Sequence, residues 1–289
     1  MRTDGEVGTG PSERVEALVA ALPVPAGTGV VSVWLSDLAG QVIYAREPDA
    51  VHYAASTMKL PLLVAAYRRW ERGELDLDRP VPVRSEFRSA LDGSRFTMRQ
   101  DYDQDDETWE QVGTEVTLRE LVRRAVVRSG NLATNVVLDH VGAGTVADVL
   151  AAAGCSAETV LPCGIEDFTA RAAGVFNVVT AADLGLLMAG VGAGTLARPE
   201  TCSAMEQVLA QQEHRDKIPA GLPRSTYVAN KTGWIDGVSH DVALVRPDNA
   251  APYVLAVCTT ADAAEAELSR LIARISRAVW EACTREDGG

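Results

Sequence analysis

Lysine is the scarcest charged residue in this 289-residue chain: of 27 basic side chains only Lys59, Lys217 and Lys231 are lysine, and the rest are arginine. Positions that needed only a solvated positive charge accepted arginine. The places that kept lysine therefore come first, because a desolvated lysine can lose its proton and an arginine cannot. Basic charge is short overall. Against 40 acidic residues it leaves a formal net charge of −13, which repels phosphate backbones and anionic lipid and argues against nucleic-acid and membrane partners. No apolar run reaches the roughly 18 residues of a membrane-spanning helix. Asp4, Glu6, Glu13 and Glu16 interrupt the N-terminal stretch where an export signal would carry its apolar core, which predicts a cytoplasmic location. Five dispersed cysteines (Cys155, Cys163, Cys202, Cys258, Cys283) form no CxxC pair and read as reduced, mostly buried, small apolar side chains. The four histidines show no metal-ligand spacing such as HExxH, so no metal or cofactor is expected.

What is present is an ordinary globular composition, with 47% hydrophobic residues, ample for a sizeable core. Residues 1–11 are Gly-rich and polar and read as a disordered lead-in. Ser12 is placed to cap an amphipathic helix through about Leu22, and the alternating stretches Val30 to Asp37 and Gln41 to Ala45 read as a β-hairpin. A helix follows from about Ser56, tolerating Pro61 in its first turn. From Pro80 to Gly113 the pattern dissolves into a long polar insertion. Helical periodicity returns at Thr117 to Arg128, Leu132 to Val141 and Thr145 to Ala153. A loop-like stretch from Gly154 to Val179 then precedes helices at Ala181 to Val191 and Pro199 to Gln212. The last third reads as strands Thr226 to Lys231, Val238 to Val245 and Tyr253 to Thr260, then a helix from Asp262 to Thr284. Two early and three late strands complete one five-stranded antiparallel sheet in a mixed α/β (α+β) fold. The terminal helices flank it, forming one lobe (12–55 and 222–289), and residues 56–221 form an all-α lobe. Sites form where such lobes meet. GVGAG at Gly190 to Gly194 follows a helix rather than a strand, which argues against a dinucleotide loop.

Two of the three lysines stand beside hydroxyls or turns. Lys59 follows Ser56 by three residues at the start of a helix, a spacing that sets an amine beside a hydroxyl on one helix face. A serine hydroxyl is a weak nucleophile until a neighbouring base takes its proton, and a lysine depressed by desolvation or by a second cation can be that base. Lys231 ends a strand and opens Lys231-Thr232-Gly233, where glycine lets a ligand approach the backbone. Between them Ser129-Gly130-Asn131 lies in the break between two helices. Lys217, in QEHRDKIPAGLP, reads as a surface turn. His52 and His140 read as core or surface histidines, and His240-Asp241 as structural.

The order Ser-x-x-Lys, Ser-x-Asn, Lys-Thr-Gly resembles the serine β-lactamase and penicillin-binding-protein superfamily, and the length resembles class A β-lactamases. The stretches TLRELVRRAVVRSGNLATNVVLDHVG, TAADLGLLM and KTGWIDGVSHDVALVRPDNAAPYVLAV are similar to class A segments as well. The resemblance implies Ser56 as acylated nucleophile, Lys59 as its proton acceptor, and Ser129 as proton donor to the leaving atom. It implies that Lys231 depresses Lys59 and attracts a substrate carboxylate, that Asn131 bonds a substrate amide, and that Thr232 helps to bind the carboxylate. The backbone N–H groups of Ser56 and Trp234, beside Gly233, would form the oxyanion hole.

Three departures stand out. In the expected Ω-shaped loop Glu166 falls where the deacylating glutamate belongs, with Asp167 as a second candidate. The usual preceding arginine is missing, and so is the following asparagine, where Ala170 stands. Gly130 replaces the acidic residue common between Ser and Asn, which removes one anchor for Ser129. The 80–113 insertion is placed to rim the cleft as a lid. Its Asp101, Asp103, Asp105 and Asp106 resemble a calcium loop, but Asp106 stands where a glycine is required and Val112 where the closing glutamate belongs, so they read as a solvated acidic face. The expected function is a serine hydrolase of β-lactamase type, acting on a β-lactam or related cyclic amide through a Ser56 acyl-enzyme. Its partner would be a small molecule with an acyl group and a carboxylate. The alternatives are an intracellular esterase, amidase or penicillin-binding-protein-like enzyme, and a non-catalytic ligand-binding homologue.

Overall fold

The computed structural model describes residues 11–20 and 29–284. The predicted lead-in of residues 1–11 lies outside the described residues except for Pro11, which opens helix α1 (Pro11–Ala20). Ser12 is thus inside the helix rather than its cap, and Leu22 falls outside the described residues. Strands β1 (Val30–Ser36), β2 (Val42–Arg46) and short β3 (His52–Tyr53) follow. A 3₁₀ turn, Ala55–Met58, then runs directly into α2 (Lys59–Glu71).

The polar insertion has more structure than its composition predicts. It contains β4 (Pro80–Pro82), β5 (Glu86–Arg88), β6 (Arg95–Thr97), a 3₁₀ turn at Gln100–Tyr102 and α3 (Asp106–Glu110), and it closes at β7 (Glu115–Thr117). β4 pairs with β7, and β5 with β6. Strands of three residues carry almost no periodicity, which is why the sequence does not announce them. Next come α4 (Leu118–Val127), α5 (Asn131–Val141), α6 (Ala143–Ala152), α7 (Phe168–Ala172), β8 (Val178–Val179), α8 (Ala181–Gly192) and α9 (Pro199–Ala210). The chain ends with β9 (Tyr227–Ile235), β10 (Val238–Arg246), β11 (Tyr253–Thr260) and α10 (Glu265–Thr284).

The expected sheet forms, with strand order β2-β1-β11-β10-β9 and every neighbour antiparallel. Both faces are covered, so the central strands are apolar on both sides. Val33, Leu35, Ala243, Val245, Leu255 and Val257 face α1 and α10, whose stripe is Leu268, Leu271, Ile272, Ile275 and Val279. On the other face Trp34, Val242, Leu244, Val254 and Ala256 join the core of the helical half. Thr117 and Thr180 cap α4 and α8 through their side chains, closing the two helices at their predicted starts. Among the described residues no helix is long and apolar enough to cross a membrane.

The segment between α6 and α8 is clamped to the helical half by a buried carboxylate. Asp183 accepts from the Ser156 nitrogen and hydroxyl, both at 2.8 Å, and from the Thr159 hydroxyl at 2.5 Å. Removing a buried, charged acceptor leaves its donors dry and unpaired. Asp183→Ala is expected to lower stability by about 2–4 kcal/mol, read as a reduced denaturant midpoint with unchanged slope.

Candidate active site

The site is built where edge strand β9 meets the 3₁₀ turn that carries Ser56. At Gly233 the approach is so close that a β-carbon would lie 2.8 Å from the backbone nitrogens of Ser56 and Thr57, so only glycine fits. The turn is tight. Ala55, just before Ser56, has φ +44°, and of the four non-glycine residues with positive φ among those described, three (Ala55, Ser129, Glu166) belong to this site. Such conformations cost free energy and persist where the surroundings enforce them, which marks functional sites.

Beneath the turn the two lysines converge on one hydroxyl. Lys59 Nζ lies 2.9 Å from Ser56 Oγ, 3.4 Å from Ser129 Oγ, 2.5 Å from the Ser129 carbonyl and 2.8 Å from Asn131 Oδ1. Lys231 Nζ reaches the same Ser129 Oγ at 3.1 Å and donates to the Thr232 carbonyl at 2.7 Å. Both lysines are fully buried. Burial brings the Lys59 ammonium down to about 7, with the Asp103 carboxylate opposing the shift. Burial likewise pushes Lys231 well below its ordinary value, and Lys59 adds to the effect. The arrangement holds an amine that can be neutral near pH 7 against a half-exposed serine.

The insertion is a brace: Asp101 and Asp106 are exposed as the acidic-face reading expects, but Asp103 and Asp105 are not. Asp103 accepts from the backbone nitrogens of Asn131 and Leu132, each at 2.7 Å, and from the Trp109 indole at 2.9 Å, which fixes the start of α5. Asp105 is buried and takes Arg128 and Thr108. It also occupies the space a side chain at Gly130 would need, since a β-carbon there would lie 3.1 Å from the Asp105 Cβ. The carboxylate missing at position 130 is thus supplied from the insertion. The Tyr102 carbonyl receives the Asn131 amide at 2.7 Å. Asp101 and Asp106 turn instead to Arg99 and Gln100.

The same insertion grips the Glu166 loop. The Arg99 nitrogen donates to Glu166 Oε2 at 3.0 Å, while Oε1 is buried with no hydrogen-bond partner and is free to accept one. Burial raises the Glu166 carboxyl, against the Arg99 N–H. Asp167 is committed elsewhere: its oxygens cap α7 through the Ala170 nitrogen and hold the Ala90 nitrogen at 2.8 Å. Asn135 and Asn177, which the sequence does not single out, lock the loop's backbone through Ile165 and Cys163.

Ser56, Asn131, Glu166 and Trp234 line one cleft of about 380 Å³, whereas Lys59, Ser129, Lys231 and Thr232 lie beneath its surface. On β9 the side chains alternate. Lys231 and Gly233 face the Ser56 turn, whereas the Thr232 and Trp234 side chains stand on the other face of the strand, where the Thr232 hydroxyl is covered and unpartnered while Trp234 still reaches the cleft. Lys217 is not in a surface turn: it is buried, pairs with Asp216 at 3.0 Å and Glu265 at 2.9 Å, and lies 5.0 Å over the Trp234 ring. His214 meets the same ring edge-on at 4.7 Å. His240 and Asp241 are wholly buried, and His240 Nε2 lies 2.9 Å from the Tyr53 carbonyl. Burial keeps its ring neutral, down to about 4, and pushes Asp241 up to about 7.

Because the Asp103 carboxylate accepts from Trp109, Asn131 and Leu132 and from the Gln104 and Asp105 nitrogens as well, its loss should register both in stability and in the Ser129 loop. Asp103→Ala is expected to cost about 2–3 kcal/mol by chemical denaturation and to slow acylation at Ser56 at least tenfold. A variant as fast as the parent would show that the loop holds its geometry unaided.

A family model described as "Beta-lactamase enzyme family" matches residues 11–283. A β-lactamase from Sphaerobacter thermophilus DSM 20745 is similar in structure, with TM-score 0.76 and 27% identity over 93% of this chain and 97% of that one. A mutant of the class A β-lactamase of the last common ancestor of Gram-negative bacteria aligns with TM-score 0.77 and 25% identity over 94% of this chain and 98% of its own. PBP-A shares the fold at TM-score 0.76 and 23% identity, over 94% and 95% of the two chains. No curated sequence matches significantly. Family match and fold agree with the motif order, and the chain belongs to the β-lactamase enzyme family, within the serine β-lactamase and penicillin-binding-protein superfamily.

Proposed function

We propose that the protein is a serine hydrolase that opens a strained amide or an ester through an acyl-enzyme on Ser56. The observation that carries this is the buried Lys59 amine 2.9 Å from Ser56 Oγ, with its ammonium brought down to about 7. Neutral Lys59 takes the hydroxyl proton as Oγ attacks the carbonyl carbon. The resulting oxyanion is met by the N–H groups of Ser56 and Trp234, a contribution typically of about 10²- to 10³-fold per donor. Ser129, held between the two amines, passes its proton to the leaving nitrogen or oxygen and recovers one from Lys59. The acyl group leaves Ser56 when a water, giving its proton to cleft-lining Glu166, adds to the acyl carbon; the C–Oγ bond then breaks and the proton returns to Ser56 Oγ.

Ser56→Ala should abolish the mass adduct formed with an activated ester or a β-lactam, and Lys59→Ala should slow its formation about 10²- to 10⁴-fold. An adduct that persists in Ser56→Ala would overturn the proposal. The base must be neutral to act, so the acylation rate in stopped flow should climb about tenfold per pH unit up to about 7 and level off above it. In Glu166→Gln the acyl-enzyme should form normally and then persist, its hydrolysis slowed by about 10²-fold or more. Unchanged turnover in that variant would take the role away from Glu166.

A further inference from the structure

On the acyl-enzyme reading of Ser56, we infer that the cleft selects an uncharged acyl donor with a bulky apolar acyl part, rather than a substrate bearing a carboxylate. Two independent features lead there.

The first is the cleft wall. Tyr102 and Phe168 are 52% and 53% exposed, Phe176 and Ile235 are 39% and 40% exposed, and all four border the same cleft as Ser56. A chain with only 5% aromatic residues concentrates uncovered apolar surface at its nucleophile. That surface gains free energy only when an apolar group covers it.

The second is the state of the cations that would receive a carboxylate. Lys231 and Thr232 are both 0% exposed. Beside Thr232 on the same strand face stands the Trp234 side chain, flanked by the His214 ring and the Lys217 amine. Lys217 is already matched by Asp216 and Glu265, and the Asp241 carboxyl lies opposite Thr232 in the sheet register. Along the open cleft the charged lining residues are one cation, Arg171, which lies 6.0 Å over the Tyr53 ring, and two carboxylic acids, Glu166 and Asp167. An incoming carboxylate would lose its water without meeting an excess of positive charge, in a protein that carries −13 overall.

The test compares rates of Ser56 acylation, by intact mass and stopped flow, for benzylpenicillin and its methyl ester, which differ only in the carboxylate. p-Nitrophenyl acetate and octanoate are compared alongside, each normalised to its rate with hydroxide. The methyl ester is expected to react at least about tenfold faster than the free acid, and octanoate at least about tenfold faster than acetate. Trp234→Ala should narrow the gap between ester and free acid, and Phe168→Ala with Phe176→Ala should narrow the gap between octanoate and acetate. A free acid that reacts as fast as its ester, or equal normalised rates for the two acyl chains, overturns the inference while leaving the acyl-enzyme reading intact. No adduct from any of the four probes overturns that reading, and the inference with it.

Discussion

Two amines buried around one hydroxyl are the constraint on which the rest of this structure depends. An ammonium moved out of water into a protein interior carries a penalty of several kcal/mol, and two of them near Ser129 also repel each other. The molecule relieves this in two ways. It surrounds Lys59 and Lys231 with oxygen acceptors, the Ser129 and Thr232 carbonyls and the Asn131 amide, and it lowers the affinity of both amines for their protons. The second effect is what makes a lysine useful as a base. It exists only while the amines stay dry and the Ser129 loop stays in its strained conformation, so everything that holds that loop sustains the shift.

The insertion between α2 and α4 does most of that holding. Through Asp103 it fixes the N–H groups that open α5, through Asp105 it fills the space left by Gly130, and through the Arg99 nitrogen it restrains Glu166. A side chain at position 130 and Asp105 compete for one volume, so the loss of the local carboxylate and the gain of the distant one are a single packing solution. One segment thereby grips both the Ser129 loop and the loop that carries Glu166. The conclusion that Gly130 costs an anchor follows from the loop alone and reverses once the insertion is in place.

Much of this was legible from local pattern. The hairpin, the three late strands and the long final helix follow from periodicity, because a half-buried strand or helix must repeat its apolar residues at fixed intervals. Ser56 and Lys59 were legible together because a separation of three residues at a helix start forces them onto one face. Lys217 is instructive: the scarcity that singled out two lysines applied equally to the third, yet its polar neighbours suggested a surface turn. Its burial depends on Glu265, 48 residues away, which no local pattern reports. Asp103 and Asp105 were misplaced for the same reason, since an acidic run has the same composition whether it is solvated or caps a helix.

The sequence by itself determined the sheet, the longer helices, and the placing of an amine beside the Ser56 hydroxyl, all of which rest on contacts within a few residues or on a repeating pattern. Only the tertiary structure decided that Lys59 and Lys231 share one hydroxyl, that Asp167 is spent on the fold while Glu166 keeps a free oxygen, and that the Thr232 hydroxyl is covered and unpartnered. The physical reason is the same in each case: desolvation and hydrogen-bond satisfaction are set by which distant segments close over a group, and a linear pattern does not record them.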